Sequence, residues 1–525
     1  MSFHSLDYLL FLPLVVVLYF FTPHRWRWVV LLALSNLFYA AWRWDFLWLL
    51  WVSTLIDYCV GQWLPRVEKG WRRKALLSVS LCGNLGLLFT FKYFALVANT
   101  GLTLFHGGDS QAFEPVSLLL PLGISFYTFQ TLGYVIDVYR GRKEPERHLG
   151  YFAVYVMYFP QLLAGPIERP STLLPQFRQH KVFEVGRTAA GGALMLVGYF
   201  KKLVIADRMT DLVPPILNHP LDHSPLMVLM ASVGEIYRYY ADLSGYADIA
   251  IGSSLILGIQ LTRNFDRPLA SVSVAEFWRR WHITVSTWFR DYVYLPIARG
   301  GGRGKGRRDD KAVRRAVATL ITIAIVALWH GAAWTWLAAG VIAGLVMIGE
   351  GIVRRSPAAA AISHNLSRTL GLPRGVEVGL QDSLNRLVLW SFLVLLGSMV
   401  ATPSWQLAIE AWGRMAELPV WAVHDPGALL SGFSIMPRYL VMATLTTSVP
   451  FLLIYVAPPS QQVMLVAGIL VLIMVSLALL NKRRGQRLRG TAALHSRSHI
   501  SYRRDAAARA ARLRPRGPQR LCPGQ

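Results

Sequence analysis

The sequence is poor in charge and in cysteine. Charged residues make up 16% of its 525 residues and hydrophobic residues 54%, which excludes a string of ordinary soluble domains. The three cysteines, Cys59, Cys82 and Cys522, are isolated, so neither a zinc site built on paired cysteines nor a disulfide framework is predicted. This composition favours a membrane protein.

Fingerprints of several enzyme classes are also missing from the sequence. It contains neither an HExxH helix nor a GxSxG turn, so metalloprotease and α/β-hydrolase chemistry have no support. The glycine-rich run at 300–306 fails as a phosphate loop, because Arg299 stands where the first glycine belongs and Gly306 follows Lys305 in place of Ser or Thr. A cytoplasmic loop is predicted there, and no metal site is predicted anywhere.

Long apolar runs recur along the chain. The clearest cover residues 9–21, 29–41, 75–98, 189–200, 316–328, 387–400 and 463–480. At about 20 residues per crossing, the chain has room for roughly 10 to 13 spans plus shorter re-entrant pieces. We therefore predict an all-α polytopic membrane protein, and one of its spans is expected over residues 116–138.

Basic residues collect in short loops and in the C-terminal segment. The loops at 25–27, 66–74, 140–147 and 299–315 are expected on the cytoplasmic side. From Lys482 onward there are thirteen Lys or Arg and one acid, Asp505. We predict a membrane domain over 1–480 and a basic, disordered tail over 481–525 that touches anionic lipid. Nucleic-acid binding is not predicted, because no folded reading module accompanies the tail.

Residues 151–163 are apolar but too short for a regular span. The stretch that follows, FPQLLAGPIERPST at 159–172, is dense in Pro and Gly and contains Glu168 and Arg169. A re-entrant segment and an ordinary loop both fit. Non-helical backbone at membrane depth would have to be shielded by protein or water.

Two histidines occur in or beside apolar segments, where ionisable groups are costly and tend to be functional. His282 belongs to FWRRWHITVSTWFRDYVYLP at 277–296, interpreted as one helix that ends at Pro296. Trp278 and Phe289 would then lie on the same face of this helix as His282. His330 ends the run 316–328 within LWHG. Each histidine could instead be a buried structural residue with a satisfied partner.

Other polar residues within apolar sequence have a structural interpretation. Asp242 and Asp248 lie in YYADLSGYADIAIG at 239–252 and are interpreted as partners of arginines such as Arg279 or Arg290. Glu276 and Arg280 have the i,i+4 spacing of a helical ion pair.

The longest motifs resemble those of the membrane-bound O-acyltransferase family, and most closely its bacterial branch that O-acetylates alginate. They occupy residues 121–141, 159–177, 239–252 and 264–296 and the LWHG at 328–331, within a match from residue 1 to about 480. The resemblance implies a ring of helices around a central funnel. It also implies that His330 is catalytic and that His282 is the second characteristic polar residue.

The same resemblance implies a function. It suggests a multi-pass protein of the bacterial inner membrane that moves acetyl groups from a cytoplasmic donor, acetyl-CoA, towards a periplasmic exopolysaccharide. The acceptor is a serine on a partner protein or a small hydroxyl carrier, and periplasmic acetyltransferases and polysaccharide machinery are the implied partners. Acylation of peptidoglycan, teichoic acid or lipid stays open. So does a proton-coupled transporter, although the internal repeats typical of transporters are not visible.

Residues near the two histidines are candidates for binding the donor through charge pairing and stacking. We expect His282 and His330 to line one water-accessible passage. The candidates are Trp278, Arg279, Arg280, Trp281, Ser286, Arg290, Asp291, Trp329 and Arg169.

Overall fold

The computed structural model describes residues 3, 5–107, 114–163, 165–300, 308–354, 356 and 374–424. Within these ranges the chain is helical and contains no strand. The apolar run 463–480, the proposed boundary at 480 and the basic tail 481–525 lie outside the described residues, as do positions 301–307 of the glycine-rich loop.

Seventeen helices are described. They are α1 Leu6–Phe21, α2 Arg27–Arg43, α3 Leu47–Trp63, α4 Trp71–Phe105, α5 Ile124–Tyr139, α6 Leu149–Met157, α7 Phe159–Leu162, α8 Pro170–Arg178, α9 Val185–Asn218, α10 Pro225–Ile256, α11 Val274–Arg280, α12 Ile283–Phe289, α13 Arg308–His330, α14 Trp334–Val353, α15 Arg374–Ala401, α16 Trp405–Ala416 and α17 Leu418–His424. Helix α12 continues through a π-helical turn, Arg290–Tyr294, into a last segment, Leu295–Arg299.

The prediction of an all-α membrane protein is confirmed. Five described helical segments are long and apolar enough to cross a membrane: α4, α9, α13, α14 and the part Gln381–Ala401 of α15. The predicted ten to thirteen crossings concern the whole chain, and the apolar run 463–480 lies outside the described residues. Other described helices are shorter or carry more charge. Helices α2 and α3 have only 17 residues each, and the 32-residue α10 carries Glu235, Arg238, Asp242 and Asp248.

The span expected over residues 116–138 is wrong in its first part. Residues 114–121 are not helical, and α5 begins only at Ile124, after a left-handed Gly123 with φ of +74°. A Cβ at this glycine would lie 2.3 Å from the carbonyl oxygen of Leu162, so the close approach to α7 requires glycine.

The short helices α6 and α7 are buried within the protein. Tyr155, Met157, Tyr158 and Phe159 have no exposed surface. After α7, the buried Glu168 accepts hydrogen bonds from the backbone N–H and the hydroxyl group of Thr262. Shielding by protein is what a re-entrant segment needs, because its free backbone groups cannot face lipid.

Helices α9 and α10 pack closely through two pairs of glycines. A Cβ at Gly191 would lie 2.6 Å from the carbonyl oxygen of Gly252, and a Cβ at Gly198 would lie 2.6 Å from that of Gly245. Small residues at these positions let the two backbones approach, which is a common basis of helix association in membranes.

Two ion pairs join the same helices. Lys201 Nζ lies 2.6 Å from Asp248 Oδ2, and Lys202 Nζ lies 2.6 Å from Asp242 Oδ1. The prediction that arginines such as Arg279 or Arg290 pair with these aspartates is therefore wrong. The lysines come from a π-helical turn of α9, Phe200–Ala206, which the apolar pattern does not reveal.

We predict that Gly191→Ala destabilises the protein. The added Cβ would overlap the backbone of α10, and overpacking of this kind costs about 1–3 kcal/mol. The thermal midpoint in detergent should fall. Gly192→Ala is the matched control, because a Cβ at Gly192 meets no atom within 4 Å, and its midpoint should be unchanged or slightly higher. Equal midpoints for the two variants would contradict the packing argument.

Candidate active site

His282 lies at a break between two short helices. Helix α11 ends at Arg280, and His282 adopts a left-handed conformation with φ of +46° before α12 begins. The residues 277–296 therefore do not form one helix, and the break is at His282 rather than Pro296. Pro296 stays within helical structure because the π-helical turn directly before it changes the hydrogen-bond register.

The linker before α11 supports this break. The carbonyl oxygen of Asn264 accepts a hydrogen bond from the N–H of Ile283 at 2.8 Å, and the N–H of Asp266 donates to the carbonyl oxygen of Arg280 at 2.9 Å. The backbone groups freed by the break are thus paired, as buried polar groups must be.

Asn264 also determines which ring nitrogen of His282 carries the proton. Its Oδ1 accepts hydrogen bonds from the N–H and the hydroxyl of Thr284, at 3.1 and 2.9 Å. Its Nδ2 therefore faces Nδ1 of His282, at 3.2 Å, and donates to it. Because Nδ1 accepts, a neutral imidazole here has its proton on Nε2. The ring is buried, with 3% of the residue exposed.

His330 has the opposite tautomer. Its Nδ1 lies 2.7 Å from the backbone carbonyl oxygen of Val326, one turn earlier in α13. A carbonyl oxygen can only accept, so Nδ1 donates and Nε2 keeps a free lone pair. Trp336 stacks on the ring, with centroids 5.9 Å apart and planes at 13°, and limits its rotation.

The two imidazoles lie side by side in an aromatic enclosure. Their ring centroids are 6.0 Å apart. The buried ring of Trp329 contacts both, at 5.9 Å from His282 and 4.7 Å from His330. The site thus holds one nitrogen that can accept a proton and one N–H that can donate a hydrogen bond. The water-accessible passage through these rings stays a prediction.

Sequence reasoning missed two residues of this site, Asn264 and Lys92. Lys92 Nζ donates to the carbonyl oxygen of Trp329 and lies 3.3 Å from the hydroxyl of Ser125. A signal for Lys92 was present in the sequence, because it is a single lysine inside the apolar run 75–98. An ionisable group in such a run is a site candidate by default.

The predicted donor-binding residues next to His282 are dispersed. Arg280 forms the expected ion pair with Glu276, at 2.6 Å. Trp281 is buried and stacks on Phe277, with centroids 5.2 Å apart. Ser286 donates to the carbonyl oxygen of Trp281 at 3.1 Å.

Trp278 and Arg279 point to different surroundings. Trp278 packs among apolar side chains that include those around Trp329. Arg279 is exposed and lines a groove of about 360 Å³ together with Glu350 and Arg354.

Arg169, Arg290 and Asp291 meet in a second polar group further along α12, called here the arginine–aspartate cluster. Arg169 Nη2 lies 2.9 Å from Asp291 Oδ2, and Arg290 Nε lies 2.8 Å from Asp291 Oδ1. The guanidinium of Arg169 stacks over Tyr292, 4.5 Å from the ring centroid. Its Nη1 is buried without a hydrogen-bond partner among the described residues.

Comparisons with known proteins agree with the motifs. Residues 146–380 match the model described as MBOAT, membrane-bound O-acyltransferase family. A probable alginate O-acetylase AlgI of Pseudomonas fluorescens is 32% identical over 443 residues, which are 83% of this chain and 80% of the relative.

Two further relatives match over shorter regions. A probable alginate O-acetylase AlgI of Azotobacter vinelandii is 37% identical over 334 residues, or 62% of this chain and 64% of the relative. A peptidoglycan O-acetyltransferase of Helicobacter pylori is 32% identical over 346 residues, 61% of this chain and 63% of the relative. The chain therefore spans just under two thirds of the length of the Azotobacter relative.

Proposed function

Since the chain belongs to the membrane-bound O-acyltransferase family, we propose that it is an inner-membrane O-acetyltransferase that serves an exopolysaccharide such as alginate. The observation that carries the proposal is the histidine pair. A buried imidazole, that of His282, and a half-buried one, that of His330, lie 6.0 Å apart in opposite tautomers and would provide a hydrogen-bond donor and a base for one acyl transfer.

In the proposed reaction, Nε2 of His330 takes the proton of the acceptor hydroxyl as its oxygen attacks the carbonyl carbon of an acetyl thioester. The N–H at Nε2 of His282 donates a hydrogen bond to the carbonyl oxygen, which becomes negative in the tetrahedral intermediate. Collapse breaks the carbon–sulfur bond. The proton then passes from His330 to the departing thiolate, which leaves an O-acetyl ester and a free thiol.

Acetyl-CoA is the proposed donor, and the arginine–aspartate cluster is its proposed binding region. The cluster lies further along α12 from His282, in the direction of the basic loop that positive-inside reasoning assigns to the cytoplasm. Arginine suits phosphate groups because its planar fork binds two oxygens at once. The Nη1 of Arg169 has no hydrogen-bond partner among the described residues, and because it is buried, a phosphate would have to displace the groups that cover it to reach this donor.

We predict that Arg169→Gln raises the KM for acetyl-CoA about tenfold, the equivalent of one lost charged hydrogen bond, while kcat changes little. Kinetics of the protein in detergent or nanodiscs measures both constants. Arg178→Gln is the matched control, because Arg178 pairs with Glu146 on the exposed side of α8. A fall in kcat at constant KM would place Arg169 outside the donor site.

The acceptor is proposed to be a hydroxyl group of a periplasmic partner protein or a small carrier, which passes the acetyl group to the polymer. Support comes from the names of relatives that act on alginate. Similarity to a peptidoglycan O-acetyltransferase makes peptidoglycan the second candidate polymer.

A gene deletion in the native host separates the candidates. Base-released acetate is measured in purified exopolysaccharide and in purified peptidoglycan, with and without complementation. Loss from exopolysaccharide alone supports the proposal, whereas loss from peptidoglycan alone supports the second candidate. If acetate is unchanged in both polymers and the protein drives proton-coupled solute uptake in vesicles, the protein is a transporter and the proposed function is wrong.

A further inference from the structure

The C-terminal end of α13 receives hydrogen bonds from another helix. The last carbonyl groups of any helix lack partners within it, and inside a membrane water does not replace them. The carbonyl of Ala327 is met by the N–H of Gly331 at 3.3 Å. The next two carbonyls, those of Leu328 and Trp329, accept from Tyr93 Oη at 3.3 Å and from Lys92 Nζ.

Both donors come from one π-helical turn of α4, Phe89–Tyr93. Such turns are rare in proteins as a whole, and those that occur are often found at functional sites, because the extra residue redirects side chains. Here the turn directs two successive side chains, Lys92 and Tyr93, to two successive carbonyls of α13. A cation at a helix C-terminus is also favoured by the helix dipole.

The ammonium has no acidic partner that would explain its position. Within the described ranges, no carboxylate lies within 4 Å of Lys92 Nζ. It lies 5.5 Å from the ring centroid of Trp329, the residue that precedes His330 and contacts both imidazoles. The neighbours of the Lys92 ammonium are thus the end of α13, the Trp329 ring beside the two histidines, and the hydroxyl of Ser125 at 3.3 Å.

We infer that Lys92 is a positioning residue for acyl transfer, which with Tyr93 fixes the last turn of α13 and thereby the orientation of His330. The inference rests on the proposed function of His330. Without the ammonium, the carbonyl of Trp329 has to find another donor, and the turn that carries the imidazole can rotate. The base then spends less time aligned with the acceptor hydroxyl, which lowers turnover without weakening donor binding.

Lys92→Met tests the inference, because methionine keeps the length and apolar stem but cannot donate. We expect kcat to fall at least about 30-fold, with KM for acetyl-CoA within about twofold. The thermal midpoint should fall modestly, because the Trp329 carbonyl loses its donor, and the protein should stay folded at the assay temperature. Lys92→Arg, which restores a cationic donor, should recover at least about a third of wild-type kcat. Lys74→Met is the matched control on the same helix, because Lys74 is exposed, and it should be fully active.

Wild-type kcat in folded Lys92→Met, or equal losses in Lys92→Met and Lys92→Arg, would overturn the inference. If Lys92→Met does not fold, Tyr93→Phe decides: a several-fold loss of kcat at constant KM supports the cap, and an unchanged kcat overturns it. Parallel assays of His330→Ala separate this inference from the proposed function. An active His330→Ala refutes the base role of His330 on which this inference rests, and a wild-type protein without acetyl transfer refutes the proposed function. An inactive His330→Ala beside an active Lys92→Met refutes only the role of Lys92.

Discussion

Replacing His330 by asparagine is expected to abolish polymer acetylation while the protein still folds and inserts. The asparagine amide can donate to the carbonyl oxygen of Val326, as the Nδ1–H of the imidazole does, so the last turn of α13 should persist. It cannot act as a base, and loss of a general base costs about 10²–10⁴-fold. We expect kcat to fall on the order of 10³-fold, which is a complete loss in polymer assays.

Two measurements check this expectation together. Acetate released from the exopolysaccharide reports the activity in cells, and turnover of labelled acetyl-CoA by purified protein reports kcat. His219→Asn is the matched control, because His219 is exposed at the end of α9. Near-normal acetylation by a well-expressed His330→Asn would remove the histidine from the base role.

Apolar patterning and the motifs predict the class of fold, which is confirmed, and single out two candidate site residues, whose roles stay predictions. The apolar runs 75–98, 189–200, 316–328 and 387–400 lie within α4, α9, α13 and α15, since lipid selects apolar side chains on every face of a crossing helix. His282 and His330 stand out for the complementary reason, because polar side chains are costly within such stretches. The two histidines are expected to line one passage, and the folded chain brings their ring centroids to 6.0 Å across 48 residues of sequence.

The details around the histidines depend on backbone irregularities that side-chain patterns do not encode. The π-helical turns Phe89–Tyr93, Phe200–Ala206 and Arg290–Tyr294 shift the hydrogen-bond register of their helices, and the apolar pattern does not show where such shifts occur. Each alters which side chains meet a neighbour, and Lys92 and Lys201 find their partners in this way. The sequence predicts that Asp242 and Asp248 need basic partners, but the lysines that supply them come from such a turn and were missed.

The left-handed conformation of His282 could not be predicted because positive φ is uncommon for any residue other than glycine, although histidine adopts it more often than most. Tertiary contacts maintain it, since Asn264 bonds both to the ring of His282 and to the first turn of α12. The conformation carries functional meaning: it ends α11 and directs the imidazole towards His330 rather than along a helix face.

His282→Asn is the variant that separates this backbone role from the chemical one. Asparagine tolerates the left-handed region well, so the break between α11 and α12 should remain and the thermal midpoint should change little. Its amide is too short to present a donor where Nε2–H of the imidazole lies. Loss of one donor to a developing oxyanion costs about 10²–10³-fold, and we expect kcat to fall by that amount with little change in KM.

His282→Val is the contrasting variant, because a β-branched residue is strained at positive φ and should lower both the thermal midpoint and kcat. Arg267→Asn is the matched control, since Arg267 is the other described non-glycine residue with φ of +46° and its side chain is exposed. If His282→Asn keeps wild-type kcat, the ring does not donate to the acyl oxygen. His282 would then only maintain the backbone conformation between α11 and α12, and His330 would be the one residue of the pair that takes part in acyl transfer.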